Sequence, residues 1–282
     1  MDYYLPLLYI GFLLFGLLFG SFLNVVIYRL PIMLERAWNR QARVQLGLDE
    51  TKEDKQTFNL AYPPSHCPHC KREIKPWSNI PLLSFLLQKG RCVQCGNPIP
   101  WRYPLVELIT GVLFVIAFWH FGWTWNVLAA VLFTLFLIPI IFIDARTQLL
   151  PDILTLPLLW LGLLFNISDL FVSLSDAVLG AVVGYVSLWS LYQLFKLLTG
   201  KEGMGFGDFK LLSALGAWFG VISLPIIALL ASVIGLIFAV ILNIRKGQAM
   251  PFGPCLAIAG WIMLIFNTPI MRFVEWWVIG KA

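Results

Sequence analysis

The sequence predicts an all-α polytopic membrane protein with about eight transmembrane helices and one extramembrane loop domain. Three observations lead there. The 282 residues are 59% hydrophobic and only 12% charged, with a mean hydropathy of +0.81, unlike an ordinary soluble domain. Apolar, charge-free runs near the length that crosses a bilayer recur along the chain, and helices satisfy their own backbone in lipid. A single long polar segment, residues 31–103, interrupts them.

The predicted spans are roughly 5–28, 104–120, 126–143, 153–167, 177–196, 208–220, 222–243 and 252–267. The first follows Met1-Asp2-Tyr3-Tyr4, which carries no positive region, and no small-residue cleavage site ends it. It reads as a retained span, not a removed signal. The sixth, of about a dozen residues, is the shortest. Residues 269–279 contain Trp276 and Trp277 and read as an interfacial helix or a partial ninth span. Three domains follow: 1–30, the first span; 31–103, the polar segment; and 104–282, the polytopic core.

Orientation comes from Lys and Arg. Residues 31–103 hold eleven of the 20 basic residues against six acidic ones. The short loops alternate in the same sense. Arg146, Lys201 with its neighbours Lys196 and Lys210, and Arg245 with Lys246 mark one side. The loops near 121–125, 168–176 and 221 carry no Lys or Arg. The positive-inside rule then places the N-terminus outside and residues 31–103 in the cytoplasm. Orientation and lipid headgroups explain the net charge of +5, and no nucleic-acid partner is expected.

Cys67-Pro68-His69-Cys70 and Cys92-Val93-Gln94-Cys95 are separated by 21 residues. Two such knuckles supply four thiolates to one tetrahedral zinc ion. A cytoplasmic location argues against stable disulfides. A loop this poor in apolar residues gains its stability from the metal. His66 and His69 are neighbours that four cysteines make unnecessary as ligands. Cys255 stands alone in an apolar segment.

Two carboxylates sit at span edges. Asp144 closes the third run, and Asp208 opens the sixth inside Gly203-Met204-Gly205-Phe206-Gly207-Asp208. A carboxylate beside hydrocarbon is costly and needs a reason. The charge alternation puts both at the cytoplasmic face. Two carboxylates sharing one proton can activate water and protonate a leaving amine, which is aspartic protease chemistry. The glycines at 203, 205 and 207 are expected to allow backbone close to the substrate and conformations barred to other residues. Asp144 ends a helix and Asp208 begins one, so the dipoles are expected to favour the anion at Asp208 and the proton at Asp144, by about 1 kcal/mol per site. Asp152, after Pro151, is expected to cap the fourth span.

These residues carry a resemblance. The chain resembles the type IV prepilin peptidases, or prepilin leader peptidase/N-methyltransferases, over nearly its whole length. The match includes Gly20-Ser21-Phe22-Leu23-Asn24-Val25-Val26-Ile27-Tyr28-Arg29-Leu30-Pro31 and the four cysteines. It continues through Arg102-Tyr103-Pro104-Leu105-Val106-Glu107, Asp144 to Leu150-Pro151-Asp152, and the glycine-Asp motif with Lys210. The resemblance implies a bacterial inner-membrane enzyme with two activities. One cleaves a short basic leader from prepilins and pseudopilins with Asp144 and Asp208. The other methylates the new N-terminal amine with S-adenosylmethionine. It also implies zinc at Cys67, Cys70, Cys92 and Cys95. No Rossmann glycine fingerprint marks a methyl-donor pocket. Asn24, Arg29 and Glu107, polar residues at or inside spans, are candidates for it, with helix packing and anchoring as the other reading.

Two rival readings are a membrane thiol oxidoreductase using the Cys-x-x-Cys pairs and a non-enzymatic zinc-stabilised assembly factor or transporter. The first needs cysteines facing a quinone or the periplasm, against the charge pattern. The second predicts that Asn in place of either Asp preserves function.

Overall fold

The computed structural model describes residues 5–49, 51, 56–241, 243 and 250–280. Among these the regular structure is helical, with two isolated β-bridges and no strand. Arg245 and Lys246, used above for orientation, lie outside the described residues. In chain order the helices are α1 (Leu5–Gln45), α2 (Leu83–Leu87), α3 (Arg102–Phe121), α4 (Trp125–Thr147), α5 (Asp152–Phe165), α6 (Leu174–Thr199), α7 (Phe206–Phe219), α8 (Ser223–Ile241) and α9 (Gly253–Ile279). Two short 3-10 turns, Pro76–Asn79 and Asn166–Ser168, complete the set.

Every predicted span coincides with one of these helices. Six are long and apolar enough to cross a membrane: α1, α3, α4, α6, α8 and α9. This is a multi-pass membrane protein. Helices α5 and α7 have 14 residues each, so they reach only about 21 Å against a hydrocarbon core of about 30 Å. Helix α1 does not end with its apolar run. It continues through Pro31 to Gln45, carrying helix into the polar segment. Helix α9 runs to Ile279 across a kink at Phe266 (φ −106°, ψ 21°), three residues before Pro269. The missing N–H and ring of a proline account for such a break.

The chain divides into two compact units, residues 1–119 and 120–282. In the first, α1 and α3 touch through small residues. A Cβ on Gly16 would lie 2.7 Å from the Cα of Gly111, and one on Gly20 would lie 2.6 Å from the Cα of Glu107. Phe12 stacks on Phe118 at 4.5 Å between ring centroids. Lipid tails are as apolar as leucine, so close backbone packing of this kind holds membrane helices together.

In the second unit the shortest predicted span becomes the centre. Helix α7 packs against α5, α6, α8 and α9, and nearly all of its residues from Asp208 to Phe219 are buried. A helix apolar all round belongs inside a bundle, and one covered on every side need not match the bilayer thickness. Gly180 of α6 and Gly216 of α7 meet backbone to backbone, and a Cβ on Gly184 would lie 2.7 Å from the carbonyl oxygen of Leu212. Trp218 donates its indole N–H to the Leu158 carbonyl at 2.8 Å. Asn166 donates to the carbonyls of Ala217 and Trp218 and accepts from the N–H groups of Phe171 and Val172. These bonds fix where α7 ends and where its first turn stands.

Candidate active site

Asp144 lies in the last turn of α4 and is buried. Helix α4 stops there because Gln148 adopts a left-handed conformation (φ 53°) and returns its N–H to the Asp144 carbonyl at 2.9 Å. Asp208 is buried in the first turn of α7, behind Gly205 as N-cap. Both carboxylates belong to the second unit, and Asp208 lies close enough to interact with the charge of Asp144. The buried thiol of Cys255 lies within electrostatic reach of both. Two acids that are 64 positions apart in the sequence therefore lie within charge–charge reach of each other.

A third element was missed by sequence reasoning. Helix α9 begins at Gly253, whose backbone forms a hydrogen bond with the Asp144 carboxylate. A Cβ at Gly253 would stand 2.6 Å from Asp144 Oδ2, so only glycine fits. Oδ2 itself is buried and has no protein partner. The signal that could have revealed this contact is Pro251-Phe252-Gly253-Pro254, two prolines framing a glycine where an apolar run begins. The contact also corrects the dipole expectation. Asp144 ends α4, but it also faces the N-terminus of α9, where the partial positive charge favours an anion. The asymmetry that assigned the shared proton to Asp144 is gone.

Two further expectations change. None of Gly203, Gly205 and Gly207 has a positive φ. Two of them serve close approach instead: a Cβ on Gly207 would meet Leu150 Cβ at 2.5 Å, and one on Gly203 would meet the Phe195 ring at 2.8 Å, while Gly205 faces open space. Asp152 is the first residue of α5, but Pro151 holds the N-cap position and no side chain caps it. The Asp152 carboxylate instead accepts both hydrogen bonds from Lys210 Nζ, at 2.6 and 2.8 Å. This pair joins the start of α5 to the first turn of α7, beside the two buried acids.

The cysteines lie in the first unit. Their four Sγ atoms fall within 4.8 Å of one another, a set that can hold one metal ion, and Cys67 and Cys95 are 3.8 Å apart. The two knuckles repeat one fold. Cys67 N–H donates to Arg72 and Lys71 N–H returns to Cys67, just as Cys92 N–H donates to Asn97 and Gly96 N–H returns to Cys92. Ile74 closes on Ser65 as Ile99 closes on Gly90. The turn needs a positive φ at its fifth residue, which Gly96 (71°) supplies easily and Lys71 (59°) adopts as well. In the sequence the likeness is faint, since only Cys, Cys and Ile recur. Backbone N–H groups, that of Cys70 first, hold the Cys67 thiol down to about 7. Such a thiol is ready to ligate. The His66 ring bonds the Pro64 carbonyl at 3.0 Å, outside the thiol cluster.

Asn24, Arg29 and Glu107 each bond backbone groups of the first unit. Arg29 donates to the carbonyls of Asn59, Leu60 and Pro63, at 2.9, 3.4 and 2.6 Å. Glu107 Oε2 accepts from Leu82 N–H at 2.9 Å. Asn24 bonds the carbonyls of Gly20 and Tyr103, leaving its Oδ1 buried and unpartnered. Arg29 and Glu107 fasten the cysteine loop to α1 and α3.

Comparison with known proteins matches both units. Residues 14–121 match the bacterial peptidase A24 N-terminal domain, and residues 131–240 match the type IV leader peptidase family. A prepilin leader peptidase/N-methyltransferase of Neisseria gonorrhoeae is 52% identical over 263 residues, covering 93% of this chain and 92% of its own. The chain belongs to the type IV leader peptidase family. Proteins of the same name from Pseudomonas aeruginosa and Aeromonas hydrophila are 55% and 54% identical, over 92% and 95% of this chain and 91% and 94% of theirs. No solved structure matches. Within this family the buried pair Asp144 and Asp208 is the candidate peptidase centre.

Proposed function

We propose that this enzyme removes the short basic leader from type IV prepilins and pseudopilins and then methylates the new N-terminal residue. The observation that supports the first reaction is that Asp144 and Asp208 are both buried and within charge–charge reach, with Asp144 Oδ2 lacking a protein partner. A free acceptor held away from bulk water is where a hydrolytic water binds. With one proton between the two acids, the ionised carboxylate takes a proton from water as it attacks the scissile carbonyl. The protonated acid donates to the carbonyl oxygen; the acid that took the proton from water then passes it to the leaving amine, and the first acid recovers its proton from the tetrahedral hydroxyl as the C–N bond breaks. The Gly253 N–H and the α9 N-terminus steady the negative charge at Asp144 while the proton moves. Lys210 and Asp152 keep the α5 and α7 starts in place.

Cys67, Cys70, Cys92 and Cys95 hold a structural zinc ion in this reading, supported by four thiols in a compact set and by two matching knuckles. S-adenosylmethionine supplies the methyl group when bound. Its site is not assigned to Asn24, Arg29 or Glu107, because the last two are engaged in fastening the loop.

The protein is placed in the bacterial inner membrane, with the N-terminus periplasmic and residues 31–103 and both acids at the cytoplasmic face. The Lys and Arg alternation supports this orientation. A prepilin leaves its apolar helix in the bilayer and its leader at that face, which brings the scissile bond to the depth of the two acids. Residues 1–30, 31–103 and 104–282 then act as anchor, metal-stabilised domain and peptidase core. The partners are prepilins, pseudopilins and membrane lipid, with no part for nucleic acid.

Mass spectrometry of a co-expressed prepilin N-terminus tests both reactions. Wild-type protein is expected to yield a leader-free, methylated terminus. Asp144→Asn and Asp208→Asn are expected to leave the leader intact while the protein still inserts. An intact leader with the wild-type protein overturns the proposal.

A further inference from the structure

The stretch joining the two knuckles exposes large apolar side chains. Trp77, Ile80, Leu83, Leu86 and Leu87 all face outward, with Leu86 70% and Leu87 74% exposed, and Trp101 is 77% exposed. In a loop surrounded by water such a cluster is unfavourable, and it marks a contact surface. Its depth is set by neighbouring bonds. Helix α3 has 20 residues, so it spans about 30 Å and has no length to spare in crossing the hydrocarbon core. Arg102 begins it and belongs at one boundary. Glu107 lies five residues further on, about 7.5 Å along the axis from that boundary. Yet Glu107 Oε2 accepts the N–H of Leu82 at 2.9 Å. The loop must therefore descend beside α3 to meet it.

One more contact holds this descent. Phe85 packs edge-on against Trp101 with 5.0 Å between centroids, which ties α2 to the level where α3 starts. Leu82 adopts φ 56° and ψ −47°, a conformation that side chains other than glycine rarely take. The bond to the buried Glu107, which the Ser21 side chain also meets, offsets part of that cost. On the two sides of the apolar stretch, Lys75, Lys89 and Arg91 are exposed. The order is cation, apolar turn, cation, the pattern of a segment that enters a leaflet below anionic headgroups.

We propose that residues 80–87 form a wedge inserted into one lipid leaflet beside α3. Its partner is the acyl chains of the bilayer, and Lys75, Lys89 and Arg91 contact the headgroups above. The metal-binding loop is then a monotopic element seated in the membrane surface, with Glu107 as the bolt that sets its depth. This inference rests on α3 crossing the membrane and does not depend on the peptidase reading.

Photocrosslinking of the full chain tests it. p-Benzoylphenylalanine is placed singly at Leu87, at Val93 in the second knuckle, and at Leu18 on α1, all exposed positions. The protein is reconstituted in phosphatidylethanolamine and phosphatidylglycerol vesicles, irradiated, and read by intact mass. Lipid adducts at Leu87 are expected to match those at Leu18 and to exceed those at Val93 about tenfold. Adducts at Leu87 no more abundant than at Val93, with Leu18 still labelled, overturn the wedge. Glu107→Leu is expected to lower the Leu87 adduct severalfold while the Leu18 adduct stays constant, and an unchanged Leu87 adduct removes Glu107 from its role. Because Leu18 reports insertion in every sample, a misfolded variant is recognised directly.

Discussion

The helices of residues 120–282 pack chiefly through close backbone contacts, pinned at the end of α7 by Asn166 and Trp218, whereas the polar loop before α3 is fastened by side chains reaching for isolated backbone groups. In the first region Gly180 meets Gly216 and Gly253 admits Asp144. In the second, Arg29 collects three carbonyls and Glu107 takes one N–H. The helix pair α1 and α3 uses the glycine method too, so the contrast lies between membrane helices and loop, not between the two units. Helices in lipid have already satisfied their backbones and need only close packing. A polar loop lacks a core and must be fastened at points, by clamps and by a metal.

The two acids carry the largest expected effect. Asp144→Asn or Asp208→Asn is expected to lower prepilin cleavage by about 10³-fold, the range of a lost general acid or base. The measurement is initial rate on a purified prepilin, with helical circular dichroism unchanged. A tenfold loss or less would mean that the pair does not share the chemistry.

Next in size is the packing of the helical core. Gly216→Leu is expected to destabilise the second unit by about 3 kcal/mol, since its side chain would strike the backbone of α6. Gly205→Ala, which faces open space, is expected to stay within about 0.5 kcal/mol of wild type. Thermal unfolding in detergent compares the two. The cysteine loop should follow neither change.

The loop responds to acid and chelation instead. Metal binding needs thiolates, and the Cys67 thiol titrates at about 7. Proton competition at this group is absent well above that pH and grows as pH falls through it. Apparent zinc affinity is therefore expected to drop about tenfold per pH unit below 7 from Cys67 alone. Titration with a chromogenic chelator reads it. Cys67→Ser is expected to abolish stoichiometric zinc while leaving the α-helical signal of the second unit intact.

The smallest expected effect belongs to Lys210 and Asp152. Their side chains are 29% and 56% exposed, so solvent screens the pair to about 1 kcal/mol or less. Asp152→Asn is expected to lower cleavage fewfold, chiefly in kcat, and exchanging the two residues is expected to recover part of the loss.

Much of this arrangement is legible before any coordinates. The six long helices announce themselves by apolar length, whereas the short central α7 does not, and the acids stand out because charge is scarce near lipid. The cysteine set is legible because its spacing leaves few alternatives. Legibility fails at contacts between distant elements. Nothing local in Asp152 says whether it caps α5 or reaches Lys210. Nothing in Gly253 says that a carboxylate lies against it.

Sequence alone determined that this chain is a multi-pass helical protein with two exceptional carboxylates and four clustered thiols, because hydrophobic run length and residue chemistry are local properties. Tertiary structure alone decided that α7 is the buried centre, that α9 presents its N-terminus to Asp144, and that Glu107 accepts the N–H of Leu82. Those facts depend on which backbones approach closely enough to touch, and a linear order of residues does not record separations in space.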